Sequence, residues 1–263
     1  MLKYSKIRKD LDIENMNGNA EDLAFFTHYL HNHTNGVSKS FKKRAVEYYN
    51  QQNNDLSIAS EPELQAMLPI KWDIPFPSPQ TPEFTFIDLF AGIGGFRIPM
   101  QEIGGKCVFS SEFNYHAQRA YELNFGEVPF GDITKLDLNI VPKHNVLCAG
   151  FPCQPFSISG KMKGFEDTRG TLIYHVFKII EKREPEVVLL ENVKHLLYHD
   201  KKRTLTTIIQ HLEELGYKVS KKVLNASDFG VPQNRERIII VGHKEKKFDF
   251  SKLRTKPKPV LKD

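Results

Sequence analysis

Hydrophobic and polar positions follow two different rhythms along the chain, with the change near residue 83. Before it, apolar side chains recur at helical spacing in Ala20–His31 (AEDLAFFTHYLH) and Lys39–Asn50 (KSFKKRAVEYYN), which predicts two helices. Ser60-Glu61-Pro62-Glu63 has the form of a capping box with proline in the first turn and predicts a third. Pro69, Pro75, Pro77, Pro79 and Pro82 then crowd together and predict a stiff linker over 69–83. From Phe84 short β-rich runs at 84–88 (FTFID), 106–110 (KCVFS), 145–149 (NVLCA), 186–190 (EVVLL) and 237–242 (RIIIVG) alternate with helical stretches at 96–103, 114–125, 171–183 and 203–215. Glycines 104, 126 and 216 close three of those helices. Such alternation predicts an α/β fold, a mostly parallel sheet with helices on both faces. The uninterrupted runs VVLL and IIIV suit strands buried on both sides.

Composition removes whole classes. With 263 residues, 40% hydrophobic and 26% charged, and a mean hydropathy of −0.42, the chain can bury a core and is neither disordered nor collagenous. No apolar run approaches the ~20 residues of a membrane helix, and Met1–Asp12 is charged throughout. A cytoplasmic protein without membrane contact is expected. Cys107, Cys148 and Cys153 match neither a disulfide framework nor a zinc pattern. His28, His31 and His33 lie close enough to suggest a metal site, but no cysteine or acidic partner completes one, and a solvated helix end is expected there. The net charge of +5 resides in the last twenty residues, Lys244–Asp263, which hold 8 basic against 3 acidic side chains. That tail reads either as a phosphate contact or as a solvated linker.

In an open α/β sheet, ligands bind beyond the carboxyl ends of the strands. The first strand is followed there by Asp88-Leu89-Phe90-Ala91-Gly92-Ile93-Gly94-Gly95, a glycine-rich turn opening a helix, and the second ends at Glu112, where a carboxylate can accept two ribose hydroxyls. Arg97 occupies the sixth place of a would-be GxGxxG, so the dinucleotide fingerprint is not met, and a plain structural turn stays open as a reading. Cys153 stands on a proline-flanked loop after the run 145–149, as a nucleophile would, whereas Cys107 and Cys148 lie within strands and read as core hydrophobes. Glu191 follows the run 186–190, with a helix cap or ion pair as its alternative role. Asp132 lies on the same edge between the runs 106–110 and 145–149, with a simple turn as its alternative. Together these residues are expected to converge on one crevice.

FIDLFAGIGGFR (86–97), GFPCQPFSISG (150–160), ENV (191–193) and QNRERIIIVG (233–242) closely resemble the ordered motifs of the C5-cytosine DNA methyltransferases, especially the bacterial enzymes of restriction-modification systems. The resemblance runs from Phe84 to about His243 and implies a Rossmann-like S-adenosylmethionine-dependent methyltransferase fold preceded by a small helical N-terminal region. It implies S-adenosylmethionine as methyl donor, S-adenosylhomocysteine as product and no metal. By position, Phe90, Ala91, Gly92, Gly94 and Gly95 would wrap the methionine and ribose, Glu112 would hold the ribose hydroxyls, Asp132 with Ile133 would meet the adenine, and Pro152 and Leu172 would line the remainder.

The same resemblance implies a chemistry. Cytosine C5 is a poor nucleophile, so a thiolate adds to C6 and makes C5 an enamine carbon able to take the methyl group. Cys153 is that nucleophile by position, Arg235 and Arg237 are candidates for favouring its thiolate, and Glu191 is placed to neutralise charge at N3. The base that removes the C5 proton is not identified. The target cytosine must leave the double-stranded DNA stack, and Ser157, Arg235 and Arg237 are the candidates to hold the flipped nucleotide and its phosphate. For the arginines, surface ion pairing with Glu236 or its neighbours is the other reading.

A tRNA cytosine-C5 methyltransferase shares these motifs, and a non-catalytic DNA-binding or regulatory subunit could retain the fold. The sequence divides into a helical N-terminal extension at 1–68, the linker at 69–83, a catalytic domain at 84–243 and a basic tail at 244–263. In the family a target-recognition domain and a late Gly-Asn-containing motif follow the Arg-Glu-Arg strand, and neither fits in the tail. The expectation is therefore a fragment, or the catalytic subunit of a split enzyme whose second subunit carries the recognition domain, with weak or no sequence-specific activity alone.

Overall fold

A computed structural model describes residues 1–13, 20–33, 39–52, 68–152 and 172–258. They fall into two compact units, Met1–Asn145 and Val146–Asp263. In the first unit, strand β1 (Leu2–Lys3) leads into helix α1 (Tyr4–Asp10), followed by α2 (Ala20–Asn32) and α3 (Lys39–Gln52). Strand β2 (Ile70–Lys71) runs parallel to β1. Then β3 (Phe84–Leu89), α4 (Arg97–Glu102), β4 (Gly105–Ser111) and α5 (Tyr115–Phe125) form a β-α-β-α series in which β3 and β4 are parallel, Asp88 opposite Ser110 and Leu89 opposite Ser111. Residues of β4 are buried throughout, as a strand covered on both faces requires. At the end of β4, Ser111 forms an isolated parallel bridge with Phe130.

Two expectations about residues 1–83 meet different outcomes. The helices at 20–31 and 39–50 are present as α2 and α3, whereas the third helix lies outside the described residues. Residues 69–83, read as a linker, are tied to their surroundings: Trp72 stacks on His31 with ring centroids 3.8 Å apart, Asp73 accepts from Ser5 N and Oγ at 2.9 and 2.6 Å, and Phe76 N donates to Asn124 O at 3.0 Å. The solvated helix end expected around His28 and His31 is corrected: their exposures are 0% and 5%. Each imidazole has a backbone partner, Ala24 O for His28 and Gly126 O for His31, which is what permits a polar ring to be buried. Among the described residues no group of three or more His, Cys, Asp or Glu side chains could hold a metal ion.

The second unit contains β5 (Val146–Ala149), α6 (Leu172–Arg183), β6 (Val187–Val193), α7 (Arg203–Glu214), β7 (Lys218–Asn225) and β8 (Glu236–His243). β5 and β6 are parallel, while β8 pairs antiparallel with β6 on one side and β7 on the other. Leu147, Cys148 and Ala149 in β5, Val188 and Leu190 in β6, and Ile238 and Ile240 in β8 are buried, with Ile179, Ile180, Ile208 and Leu212 of α6 and α7. The tail turns back on the same unit: Lys256 N donates to Asp228 O at 2.8 Å and Lys258 Nζ lies 3.4 Å from Asp228 Oδ1. Among the described residues no helix is long and apolar enough to cross a membrane.

Candidate active site

The glycine turn after β3 is built from left-handed backbone. Phe90, Gly92 and Gly94 have φ of +54°, +56° and +98°, a concentration that folds the chain sharply. A side chain at Gly94 would place Cβ 2.1 Å from the Phe125 ring, so this glycine is demanded by packing. A Cβ at Gly95 meets nothing within 4 Å, and that open space beside the backbone is where a ligand can approach. Ala91 is buried against Tyr121 and Phe125, and its N–H donates to Ser111 O at 3.0 Å, which fastens the turn to β4.

Glu112 follows β4 directly. Its Oε2 accepts from Gly92 N at 2.9 Å and its Oε1 from Asn114 N at 2.8 Å, while its own N–H donates to Phe130 O at 2.8 Å. The carboxylate is thus aimed across the glycine turn by backbone donors. A carboxylate oxygen has a second lone pair to offer, and the glycine cradle with an acidic group at its rim suits a ligand with ribose hydroxyls. Phe113, which sequence reasoning passed over, is 76% exposed beside this carboxylate and offers an aromatic face for stacking. Asp132 closes its own turn, accepting from Thr134 N at 2.9 Å and Oγ1 at 2.8 Å, and Ile133 is buried.

Beneath the cradle lies a buried polar cluster that sequence reasoning also missed. Arg97, which opens α4 after the turn, is fully buried, and its Nη1 lies 2.8 Å from Glu127 Oε1 and 3.2 Å from the Tyr121 hydroxyl. Glu127 Oε1 also accepts from Ser110 Oγ at 2.7 Å, and Tyr121 donates to Asp88 Oδ2 at 3.3 Å. Burial works against the charge on Glu127, but Arg97 outweighs it and carries the carboxyl down to about 2. Asp88 goes the other way, raised by burial to about 8. Arg97 and Asp88 flank the cradle in sequence and Ser110 stands two residues before Glu112, so the cluster anchors both parts of the site.

In the second unit, Glu191 lies near the end of β6 and Arg237 near the start of β8. Arg237 Nε approaches Glu191 Oε1 at 2.7 Å, with side-chain exposures of 26% and 24%. The antiparallel register explains the pair: Arg237 stands opposite Val193, two residues from Glu191, so the two side chains are diagonal neighbours on one face. Glu236 is engaged by Lys194 Nζ at 2.9 Å, and Arg237 pairs with Glu191 rather than with Glu236, the partner named in the alternative reading of the arginines. Arg235 is exposed, its backbone N–H held by Asn225 Oδ1 at 3.1 Å. Asn192 Nδ2 donates to Phe151 O at 2.8 Å, which fixes the start of the proline loop; Pro152 is exposed and Leu172 opens α6 half-buried. Cys153 and Ser157 lie outside the described residues.

The parallel β-α series, with a glycine turn after its first strand and a carboxylate after its second, is an α/β arrangement with room for a nucleoside ligand at the turn. Residues 84–263 match the family described as C-5 cytosine-specific DNA methylase, and the chain belongs to that family. It is 55% identical over 183 residues to the Type II methyltransferase M.DsaV of Dactylococcopsis salina, covering 68% of this chain and 50% of that protein. It is 61% identical over 164 residues to M.HpaII of Haemophilus parainfluenzae, covering 61% and 46%, and 53% identical over 156 residues to M.HhaI of Haemophilus parahaemolyticus, covering 59% and 48%. The chain spans about half the length of these relatives. Among solved structures, its fold is similar to the Dnmt2 methyltransferase of S. pombe, with a TM-score of 0.53 at 22% identity over 66% of this chain and 57% of that one. A putative DNA modification methyltransferase from an E. coli prophage gives 0.50 at 23% identity over 62% and 47%. At these identities the two structures establish the fold alone, and it is the α/β methyltransferase fold the motifs led us to expect.

Proposed function

We propose that this chain carries the methyl-transfer machinery of a bacterial restriction-modification enzyme, which methylates C5 of a flipped-out cytosine in double-stranded DNA. The match of residues 84–263 to the family carries this reading. S-adenosylmethionine supplies an electrophilic methyl group when bound. Phe90, Ala91, Gly92, Gly94 and Gly95 cradle it, Glu112 takes the ribose hydroxyls, Asp132 with Ile133 meets the adenine, and Pro152 and Leu172 line the rest. Phe113, 76% exposed beside Glu112, offers a stacking face for the base. In this division residues 1–68 are an N-terminal extension, 84–243 the catalytic domain and 244–263 the segment leading toward target recognition, in a protein acting on DNA in the cytoplasm.

On the substrate side, the Cys153 thiolate attacks cytosine C6 while Glu191 neutralises N3, the step that makes C5 nucleophilic. Arg237 holds Glu191 in place, and the exposed Arg235 with Ser157 meets the nucleotide and its phosphate. A 5-fluorocytosine duplex tests the reading, because fluorine cannot leave as a proton and the Cys153 adduct should persist through denaturing electrophoresis. Cys153→Ala should yield no adduct while still binding S-adenosylhomocysteine; an adduct formed by Cys153→Ala removes Cys153 as nucleophile. Methyl transfer measured on duplex DNA beside tRNA decides the substrate. The same assay repeated with a polypeptide carrying a target-recognition domain reads whether a second subunit is required.

A further inference from the structure

Helix α2 does something at the edge of β4 that no motif of the family match accounts for. β4 pairs with β3 along one side. On its other side, Ser110 O accepts from Phe130 N at 2.9 Å and Ser110 N donates to His28 Nε2 of α2 at 3.1 Å. Nδ1 of the same imidazole lies 2.8 Å from Ala24 O, and a carbonyl can only accept, so Nδ1 carries the proton and Nε2 presents its lone pair to β4. Burial, which lowers the imidazole pKa, favours the same neutral form. Neighbouring residues of α2 act alongside: Thr27 Oγ1 accepts from Val128 N at 3.0 Å and His31 Nε2 meets Gly126 O at 3.1 Å. Three side chains of one helix therefore hold Gly126 and Val128, which flank Glu127, and Ser110, two residues before Glu112.

We propose that His28 is a positioning residue for the cofactor site. By accepting the Ser110 N–H it fixes the end of β4 and so aims the Glu112 carboxylate, two residues further on, at the ribose of the methyl donor. Helix α2 is then part of the cofactor site rather than a separable N-terminal module. This rests on the reading of Glu112 as the ribose ligand.

Calorimetric titration of the full chain with S-adenosylhomocysteine and with its 2′-deoxy analogue separates aiming from mere packing. His28→Phe keeps a ring but removes the acceptor, and it should weaken S-adenosylhomocysteine binding about tenfold, the worth of roughly one hydrogen bond, while changing the affinity for the 2′-deoxy analogue far less. His28→Gln, which can still accept from Ser110 N–H, should restore the preference for the ribose hydroxyl. A folded His28→Phe protein with the wild-type ratio of affinities overturns the proposal. Loss of the preference already in the unsubstituted chain strikes instead at the role of Glu112. Should His28→Phe fail to fold, amide exchange in the unsubstituted chain decides: S-adenosylhomocysteine should slow exchange at Ser110 together with Gly92, and slowing at Gly92 alone overturns the proposal.

Discussion

Arg97 Nη1 and Glu127 Oε1 lie 2.8 Å apart with neither side chain exposed to solvent. A buried pair of this kind contributes little net stability when intact, but losing one partner leaves an uncompensated charge and costs about 3–5 kcal/mol. Glu127→Ala should therefore lower the urea midpoint sharply. The paired substitution Arg97→Met with Glu127→Leu should recover much of that loss, as measured by equilibrium unfolding.

The two adjacent glycines of the cradle should fail in different ways. Gly94→Ala drives a Cβ into the Phe125 ring at left-handed φ, and overpacking of this kind costs about 1–3 kcal/mol. Gly95→Ala meets no protein atom within 4 Å, so its melting temperature should stay near wild type while cofactor affinity falls. Thermal melts and calorimetric titration on the same samples separate the two.

Glu112→Ala should weaken S-adenosylhomocysteine binding about 10–100-fold, the range expected for hydrogen bonds to a charged group. Phe113→Ala should lose less, with stability unchanged because the ring is already 76% exposed. An unaltered dissociation constant for Glu112→Ala removes its ribose role.

His31 gives the fold a pH dependence whose sign can be worked out. Burial lowers its pKa to about 3, whereas the unfolded chain protonates it near the reference value of about 6.5. Between those values the unfolded state binds the extra proton, so the contribution is fully present above pH ~6.5 and is lost as the pH falls toward 3. His31→Gln keeps a donor for Gly126 O, so it should flatten the decline in unfolding free energy between pH 7.5 and 5.

Arg237→Met removes the partner that holds Glu191 at 2.7 Å. Turnover of a methyl-transfer step should fall by about 10²-fold, the scale of a misplaced catalytic group, with S-adenosylhomocysteine affinity unchanged. Single-turnover kinetics and titration read the two quantities independently.

Much of this architecture was legible in the spacing of side chains. Short β-rich runs announced β3, β4, β5, β6 and β8, with uninterrupted apolar stretches in the last two. β7 escaped, since its Lys218, Lys221 and Lys222 are exposed on an outer strand and dilute any alternation. The reversal of β8 was equally hidden, because direction leaves no mark on a run such as IIIV. At the site, the glycines and Glu112 stood out by their order along the chain. The Arg97–Glu127 cluster did not, because a sequence displays charge but not burial. His28 and His31 misled for the same reason: three histidines near a helix end look solvated until backbone acceptors and the Trp72 ring are seen to enclose them.

The placement of β8 between β6 and β7 also has a bearing on biosynthesis. A ribosome delivers β6 before β8, so Glu191 is synthesised ahead of its partner Arg237. The strand that completes the pair is the last of the described strands to be synthesised, and it enters at an interior position of its sheet rather than at a rim. The acid and its guanidinium partner therefore meet only after β8 has been synthesised and has entered between β6 and β7.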